Sequence, residues 1–243
     1  MLIALATDVH GNRPAFEAVI GASQAAGAEE LWCLGDVVGY GAEPDACVAL
    51  AKAHTSVCLA GNHDLGVTGE ISIAEFSPAA KRAAEWTAEV IGPDTRSFLE
   101  GLRPFQGVRG MGLFHASPRD PVWEYVLDTL TAELCLDSVK QPVNLIGHTH
   151  VALSFSRFEG EPATGMPREA GEVADLSTGE WLLNPGGCGQ PRDGDPRAAW
   201  LLLDTDAQTA TWQRQEYDIA AAQQAIRDAG LPDSLAERLR IGQ

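Results

Sequence analysis

"NLIGHTHVAL", residues 144–153, runs apolar through Ile146, turns at Gly147 and then places His148 and His150 on the exit. A short apolar run closed by a glycine reads as a buried strand. Two imidazoles one residue apart at its end have no role in packing such a strand. The rest of the chain repeats the pattern. Five of the six histidines sit just past an apolar run: His10 in "ATDVHGN", His63 in "LAGNHD", His115 in "LFHAS", and the pair in "IGHTH". Only His54, at the end of a helical stretch, falls outside. Asp8, Asp36 (in "LGD") and Asn62 also follow strand-like runs. Ligands of α/β sheets bind in the crevice beyond the carboxyl ends of the strands, so these side chains are expected to share one rim.

The spacing of apolar residues supports an α/β chain. "MLIALATD", "ELWCLGD" and "SVCLAGN" read as strands, with helices predicted over Ala15–Ala26 and "EPDACVALAKAH", the second opening at Pro44. Ser77 is a candidate N-cap for the helix "SPAAKRAAEWTAEVI". "MGLFHAS" and "VNLIGHT" are further strands, separated by a predicted helix between Trp123 and Val139. After residue 150 the pattern suggests antiparallel strands, "VALSFSRF", "EWLLNPG", "AAWLLLD" and "TATWQRQE", with turns between them. "EGEPATGMPREAGEVADLSTGE" is read as an exposed loop or irregular hairpin. Helices over Ile219–Ala229 and Pro232–Arg240 close the chain. With no repeat, low-complexity segment or linker, the 243 residues are expected to form a single domain, 1–243.

Composition narrows the function. No apolar run approaches the ~20 residues of a membrane span, and "MLIALATDVHG" lacks the basic start and small-residue cleavage site of a signal peptide. The five cysteines are odd in number, scattered and without a C-x-x-C pair, as expected of reduced thiols in a cytoplasmic protein. Acidic residues outnumber basic ones 34 to 17, a net charge of −17. Nonspecific nucleic-acid binding needs clustered Lys and Arg, so it is not expected. An anionic substrate would need a local positive centre to capture it.

Taken together, "DVH" (8–10), "GDVVGYG" (35–41), "GNHD" (61–64), His115 and "GHTH" (147–150) resemble the five-block signature of calcineurin-like metallophosphoesterases. "HASPRDPVWEY" (115–125) and "NPGGCGQPRDGDPRAAW" (184–200) resemble the compact bacterial phosphodiesterase-like branch. The resemblance implies a four-layer αββα sandwich: two mixed β-sheets face to face, flanked by helices. It also implies two divalent metal ions, one held by Asp8, His10, Asp36 and His150, the other by Asp36, Asn62, His115 and His148. Asp36 would bridge them. Oxygen and imidazole donors without thiolate favour manganese, iron, zinc or a similar first-row ion; manganese is the first expectation, with iron, zinc, nickel or cobalt as alternatives. Two such ions carry four positive charges against the two of Asp8 and Asp36, which leaves the positive centre that the charge balance demands. The implied reaction is hydrolysis of phosphomono- or phosphodiesters of small molecules by a metal-bridging hydroxide.

His63 is implied as the general acid for the leaving oxygen, with Asp64 a candidate partner for its imidazole. Asn12 and Arg192 are the expected substrate contacts, chosen over Arg13 and Arg119. Tyr40 and Tyr125 read first as packing or loop residues. Where the branch often carries serine after "NPG", this chain has Gly187, which removes one hydroxyl contact. Protein Ser/Thr phosphatases and dinucleoside-tetraphosphate hydrolases of the superfamily usually carry "GDxVDRG"; "GDVVGYG" lacks that arginine. A noncatalytic scaffold on this fold is the other alternative, and the complete ligand set argues against it. Oligomeric state is not readable from the sequence.

Overall fold

The computed structural model describes residues 1–243. The chain alternates first and then meanders. Strands β1 (Leu2–Ala6), β2 (Glu30–Cys33) and β3 (Val57–Cys58) alternate with helices α1 (Arg13–Ala25) and α2 (Pro44–His54). Three helices follow: α3 (Asn62–Thr68), α4 (Pro78–Val90) and α5 (Pro93–Glu100). Then come β4 (Phe105–Val108), β5 (Met111–Phe114), α6 (Thr129–Ser138) and β6 (Val143–Leu145). Strands β7 (Leu153–Arg157), β8 (Thr164–Pro167), β9 (Val173–Asp175), β10 (Glu180–Asn184), β11 (Ala198–Asp204) and β12 (Thr209–Gln215) complete the sheets. Helices α7 (Ile219–Asp228) and α8 (Asp233–Glu237) and a 3-10 turn, Arg238–Arg240, end the chain.

Two six-stranded sheets form, ordered β3-β2-β1-β11-β12-β9 and β4-β5-β6-β10-β7-β8. Both are mixed: β1 runs parallel to β2 and antiparallel to β11, and β10 runs parallel to β6 and antiparallel to β7. Strand alternation distributes the apolar side chains among three layers. Ile3 and Leu5 of β1, Leu201 and Leu203 of β11, and Trp181 and Leu183 of β10 meet in the core between the sheets, with Trp32 and Trp212. The opposite faces of the first sheet's strands carry Ala4, Ala6 and Trp200 toward Phe16, Val19 and Val48 of α1 and α2. On the second sheet Leu182 and Phe155 pack outward on Ala132, Cys135 and Leu136 of α6. Strands covered on both faces need continuous apolar runs, which is why "LIALA" and "AAWLLLD" show so little polar alternation. The four-layer αββα arrangement expected from the sequence is what forms. No helix is long and apolar enough to cross a membrane.

Several boundaries differ from expectation. The helix predicted over Trp123–Val139 begins only at Thr129, where Asp128 accepts the amide of Thr131 at 2.9 Å. Upstream, Asp120 Oδ1 accepts the amides of Val122 and Trp123, which favours a turn over a helix. The segment at 159–180, expected as an exposed loop or irregular hairpin, is largely exposed but forms no hairpin of its own: β8 pairs with β7 in one sheet and β9 with β12 in the other. Helices α3 and α5 and the edge strand β4 carry no clear signal in the sequence. They are short, and β4 ("FQGV") is mostly exposed and contains a glycine.

Candidate metal centre

The parallel strands of both sheets end on the same rim. Each exit loop delivers one or two of the polar side chains singled out in the sequence. The loop after β1 carries Asp8 and His10, that after β2 carries Asp36, and α3 opens with Asn62 and His63. From the other sheet, His115 follows β5, and His148 and His150 follow β6. The turns are sharp. Eight non-glycine residues have positive φ, and six of them are Asp8, His10, Asp36, Tyr40, His148 and His150. Left-handed backbone costs about 1–2 kcal/mol per residue, and residues so strained collect where function holds them. Hydrogen bonds hold the loops. Asp8 N donates to Gly35 O and His10 N to Asp36 O, while Cys188 N and Gly189 N donate to Thr7 O and Asp8 O.

All seven expected ligands are buried, and they converge. Three groups place their donor atoms within 4.8 Å of one another: Asp8, His10 and His150; Asp36, His115 and His148; and His10, Asp36 and His63. Asp36 belongs to two of them. Its Oδ1 accepts the amide of His63 at 2.8 Å, while Oδ2 lies 3.6 Å from His10 Nε2 and 3.5 Å from His115 Nε2. Asp8 is divided in the same way. Its Oδ2 accepts the amide of His148 at 3.0 Å, and Oδ1 stands 3.4 Å from His150 Nε2. Asn62 Oδ1 lies 3.2 Å from His115 Nε2.

The imidazoles are fixed by their outer nitrogens. His10 Nδ1 is 3.2 Å from Val38 O, His115 Nδ1 is 2.9 Å from Leu34 O, and His150 Nδ1 is 2.6 Å from Gln190 O. A carbonyl only accepts, so each Nδ1 carries the proton, and the Nε2 atoms of His10 and His150 turn a lone pair inward. His10 Nε2 and His150 Nε2 then face each other at 3.2 Å with a lone pair each. That contact repels unless a cation lies between them. Asp8 Oδ1, Asp36 Oδ2 and His148 Nε2 are buried in the same space without any hydrogen-bond partner. Burial raises Asp8 to about 7 and pushes Asp36 well above the usual carboxylate range. Burial also holds His10, His148 and His150 well below the usual imidazole value, which keeps their lone pairs free. Two donors on one ion, each ~2.0–2.2 Å from it at right to tetrahedral angles, stand ~2.8–3.6 Å apart. The observed separations match a site for divalent cations.

Over this centre opens a pocket of ≈ 340 Å³, lined by Asp36, Asn62, His63, His148 and His150 and walled by Tyr40, Phe76, Trp123 and Tyr125, with Arg192 and Arg238 at its edge. His63 lies between Tyr40 and Phe76, ring centroids 4.4 and 4.6 Å away. Burial, then the charge of Arg192, pushes its imidazole down to about 3. Gly39 leaves the room it occupies: a Cβ there would meet His63 Nδ1 at 2.4 Å.

The remaining expectations divide. Arg192 reaches the pocket, its Nη2 3.1 Å from Gln190 Oε1 and its Nε buried without a partner. Asn12 does not line it. Its Oδ1 caps α1 at Ala15 N, and its Nδ2 donates to Gly189 O at 2.7 Å, so its amide braces two loops. Asp64 is no partner of His63, because its carboxylate accepts the amides of Val37, Val38 and Gly61. Arg13 pairs with Glu43 and Arg119 with Glu124. Gly187 has no space for a hydroxyl, since its Cβ would lie 2.9 Å from Gln190 O. Tyr125 stacks on His148 at 4.2 Å, and both it and Tyr40 are pocket walls.

Sequence reasoning missed Arg238, and it missed Asn184. The Asn184 amide donates to Gly147 O and Thr149 Oγ1 and so holds the turn that carries both histidines. An asparagine closing the apolar run "WLLN" was the available signal.

Comparison with known proteins gives the family and the fold. Residues 1–208 match the model of the calcineurin-like phosphoesterase superfamily domain. An uncharacterized protein of Methanocaldococcus jannaschii is 33% identical over 249 residues, covering 100% of this chain and 98% of that one. The crystal structure of a metallophosphoesterase from Sphaerobacter thermophilus superposes with a TM-score of 0.90 at 40% identity, covering 100% of this chain and 99% of that chain. A hypothetical protein of Pyrococcus horikoshii has the same fold, with a TM-score of 0.79 at 20% identity over 100% of this chain and 98% of that chain. The chain belongs to the calcineurin-like phosphoesterase superfamily.

Proposed function

We propose that this protein is a metal-dependent phosphoric ester hydrolase, folded as one domain, that acts on small phosphorylated molecules, mono- or diesters. Two divalent ions, manganese first among the candidates, are assigned to Asp8, His10, Asp36 and His150 and to Asp36, Asn62, His115 and His148. The observation that carries the reading is the inward convergence of unpartnered donors: Asp8 Oδ1, Asp36 Oδ2 and His148 Nε2, beside the facing Nε2 atoms of His10 and His150. When bound, such a pair supplies Lewis acidity and lowers the pKa of water at the centre.

The chain's own residues do the rest. Asp36 offers Oδ2 to both halves of the site, because the amide of His63 has already taken Oδ1. Asn62 contributes an uncharged oxygen, so the centre keeps more positive charge for a phosphoryl group than an aspartate would leave. Arg192, with a free Nε at the pocket edge, is suited to a phosphoryl oxygen. His63 is proposed to donate a proton to the leaving oxygen. Its imidazole is neutral in this buried setting, so the negative charge of a bound phosphate is what must raise its proton affinity.

The test uses chelated protein, reloaded with Mn²⁺, on nitrophenyl and alkyl esters. Hydrolysis should vanish on chelation and return with metal. His63→Ala should lose ~10²–10⁴-fold on alkyl esters and much less on nitrophenyl esters, whose leaving group needs no proton. Unchanged hydrolysis by the chelated protein, or equal losses on both ester types, contradicts the respective assignment.

A further inference from the structure

The superfamily domain match ends at residue 208, yet the pocket over the metal centre is lined by Arg238, from the last turn of the chain. Packing fixes that turn. Ala222, Ile226, Leu231, Leu235 and Leu239 pack with Ala80 and Ala83 of α4 and with Tyr40. The turn is also tied to the loop that follows Arg192, where Gly194 N donates to Gly242 O at 2.9 Å. Leu239 is buried, so the turn cannot roll without exposing it, and Arg238 is held beside the pocket.

Arg238 and Arg192 share a neighbour. Their guanidinium carbons lie 5.9 and 5.7 Å from the Tyr40 ring centroid, and that ring is 4.4 Å from His63 and 4.7 Å from His10. Neither guanidinium forms an ion pair with an Asp or Glu side chain, although acidic residues outnumber basic ones two to one. Arg238 Nε is taken by the terminal oxygen of Gln243, which leaves its Nη atoms free, and Arg192 has only the neutral oxygens of Gln190 and Tyr40. Two guanidinium groups line one pocket, and the Nη atoms of Arg238 are not taken by any protein oxygen, which suits them to an anion entering the pocket.

We propose that Arg238 reads a second anionic group of the substrate, a phosphate or carboxylate a few bonds from the scissile phosphoryl group. Substrates with two anionic groups are thereby preferred over those with one. The proposal rests on the hydrolase reading for the place of the scissile group, and Arg192 is left to that group. The C-terminal segment is then a specificity element added to the superfamily domain.

The test is equilibrium binding to the Mn²⁺-loaded protein, so that it does not depend on turnover. Propane-1,3-bisphosphonate, 3-phosphonopropionate and propylphosphonate are compared by calorimetry in wild type, Arg238→Gln and Arg240→Gln. Arg240 lies in the same turn but is exposed and paired with Glu237. Wild type should favour the bisphosphonate over propylphosphonate by ~10–100-fold, the worth of a charge-assisted contact. Arg238→Gln should bring that ratio close to one, and Arg240→Gln should keep it. The carboxylate probe ranks phosphate against carboxylate as the second group. A wild-type ratio near one, or a ratio that survives Arg238→Gln, overturns the proposal. Discrimination by Arg238 in a protein that hydrolyses no ester would sink the hydrolase reading and leave Arg238 as the contact for a second anionic group of a bound, unhydrolysed ligand.

Discussion

Asp36 is the residue on which the site depends, and its neighbour Gly61 shows how tightly it is held. A Cβ on Gly61 would lie 2.0 Å from Asp36 Oδ1 and 2.5 Å from Asp36 N. Neither atom can yield freely, because Oδ1 is bonded to the amide of His63 and the backbone of Asp36 is already left-handed at φ 53°. Gly61→Ala should therefore displace the shared carboxylate without touching any ligand. We expect a stability loss of about 1–3 kcal/mol from overpacking and reduced affinity for both metals, read by thermal melting and metal titration. A variant that binds metal as wild type would show that Asp36 is not held in place by this contact. The residue scale is also where the sequence was most informative. Asp8, His10, Asp36, Asn62, His63, His115, His148 and His150 were all legible, because each closes an apolar run with a donor that packing cannot use. Asn12 misled for a local reason: an asparagine immediately before a helix serves as its N-cap, and this one does.

At the scale of elements, short α3 presents Asn62 and His63, and one carboxylate sets its position. Asp64 Oδ2 accepts Gly61 N at 2.9 Å and Val37 N at 3.2 Å, and Oδ1 accepts Val38 N at 3.0 Å, so α3 is joined to the loop after Asp36. In Asp64→Asn an NH₂ group must face at least one of those donors. The expected cost is about 2 kcal/mol in unfolding experiments. Weaker metal binding should accompany it, because Asp36 and Asn62 lose their common brace. Wild-type metal affinity in a destabilised variant would show that Asp64 supports the fold alone. The long strands and α1, α2, α4 and α7 were legible from period and capping. The missed elements were decided by tertiary context. α5 begins after Gly92, whose amide is taken by Asp45 from another helix, and β8 and β9 split between sheets by pairings that no local pattern encodes.

On the scale of the whole molecule, two sheets whose strands end together bring segments from residue 8 to residue 192 to one rim, and the C-terminal segment adds Arg238. The fold class was legible because strands buried on both faces have a recognisable composition. The C-terminal contribution was not, because it depends on how α7 and α8 pack on α4 and Tyr40. The same scale carries the electrostatic argument. In a chain of net charge −17, the two arginines at this rim face a centre where burial holds His10, His148 and His150 neutral, so on the proposed reading most of the positive charge there would come from bound cations. The most direct test of the account is a titration of metal-free protein with Mn²⁺, with the bound ions counted by elemental analysis. Wild type should hold two ions per chain, Asp8→Asn should weaken one and His148→Ala the other, and Asp36→Asn should weaken both. A single ion in the wild type, or an Asp36→Asn protein that still holds one ion at wild-type affinity, would contradict a pair of metals bridged by Asp36.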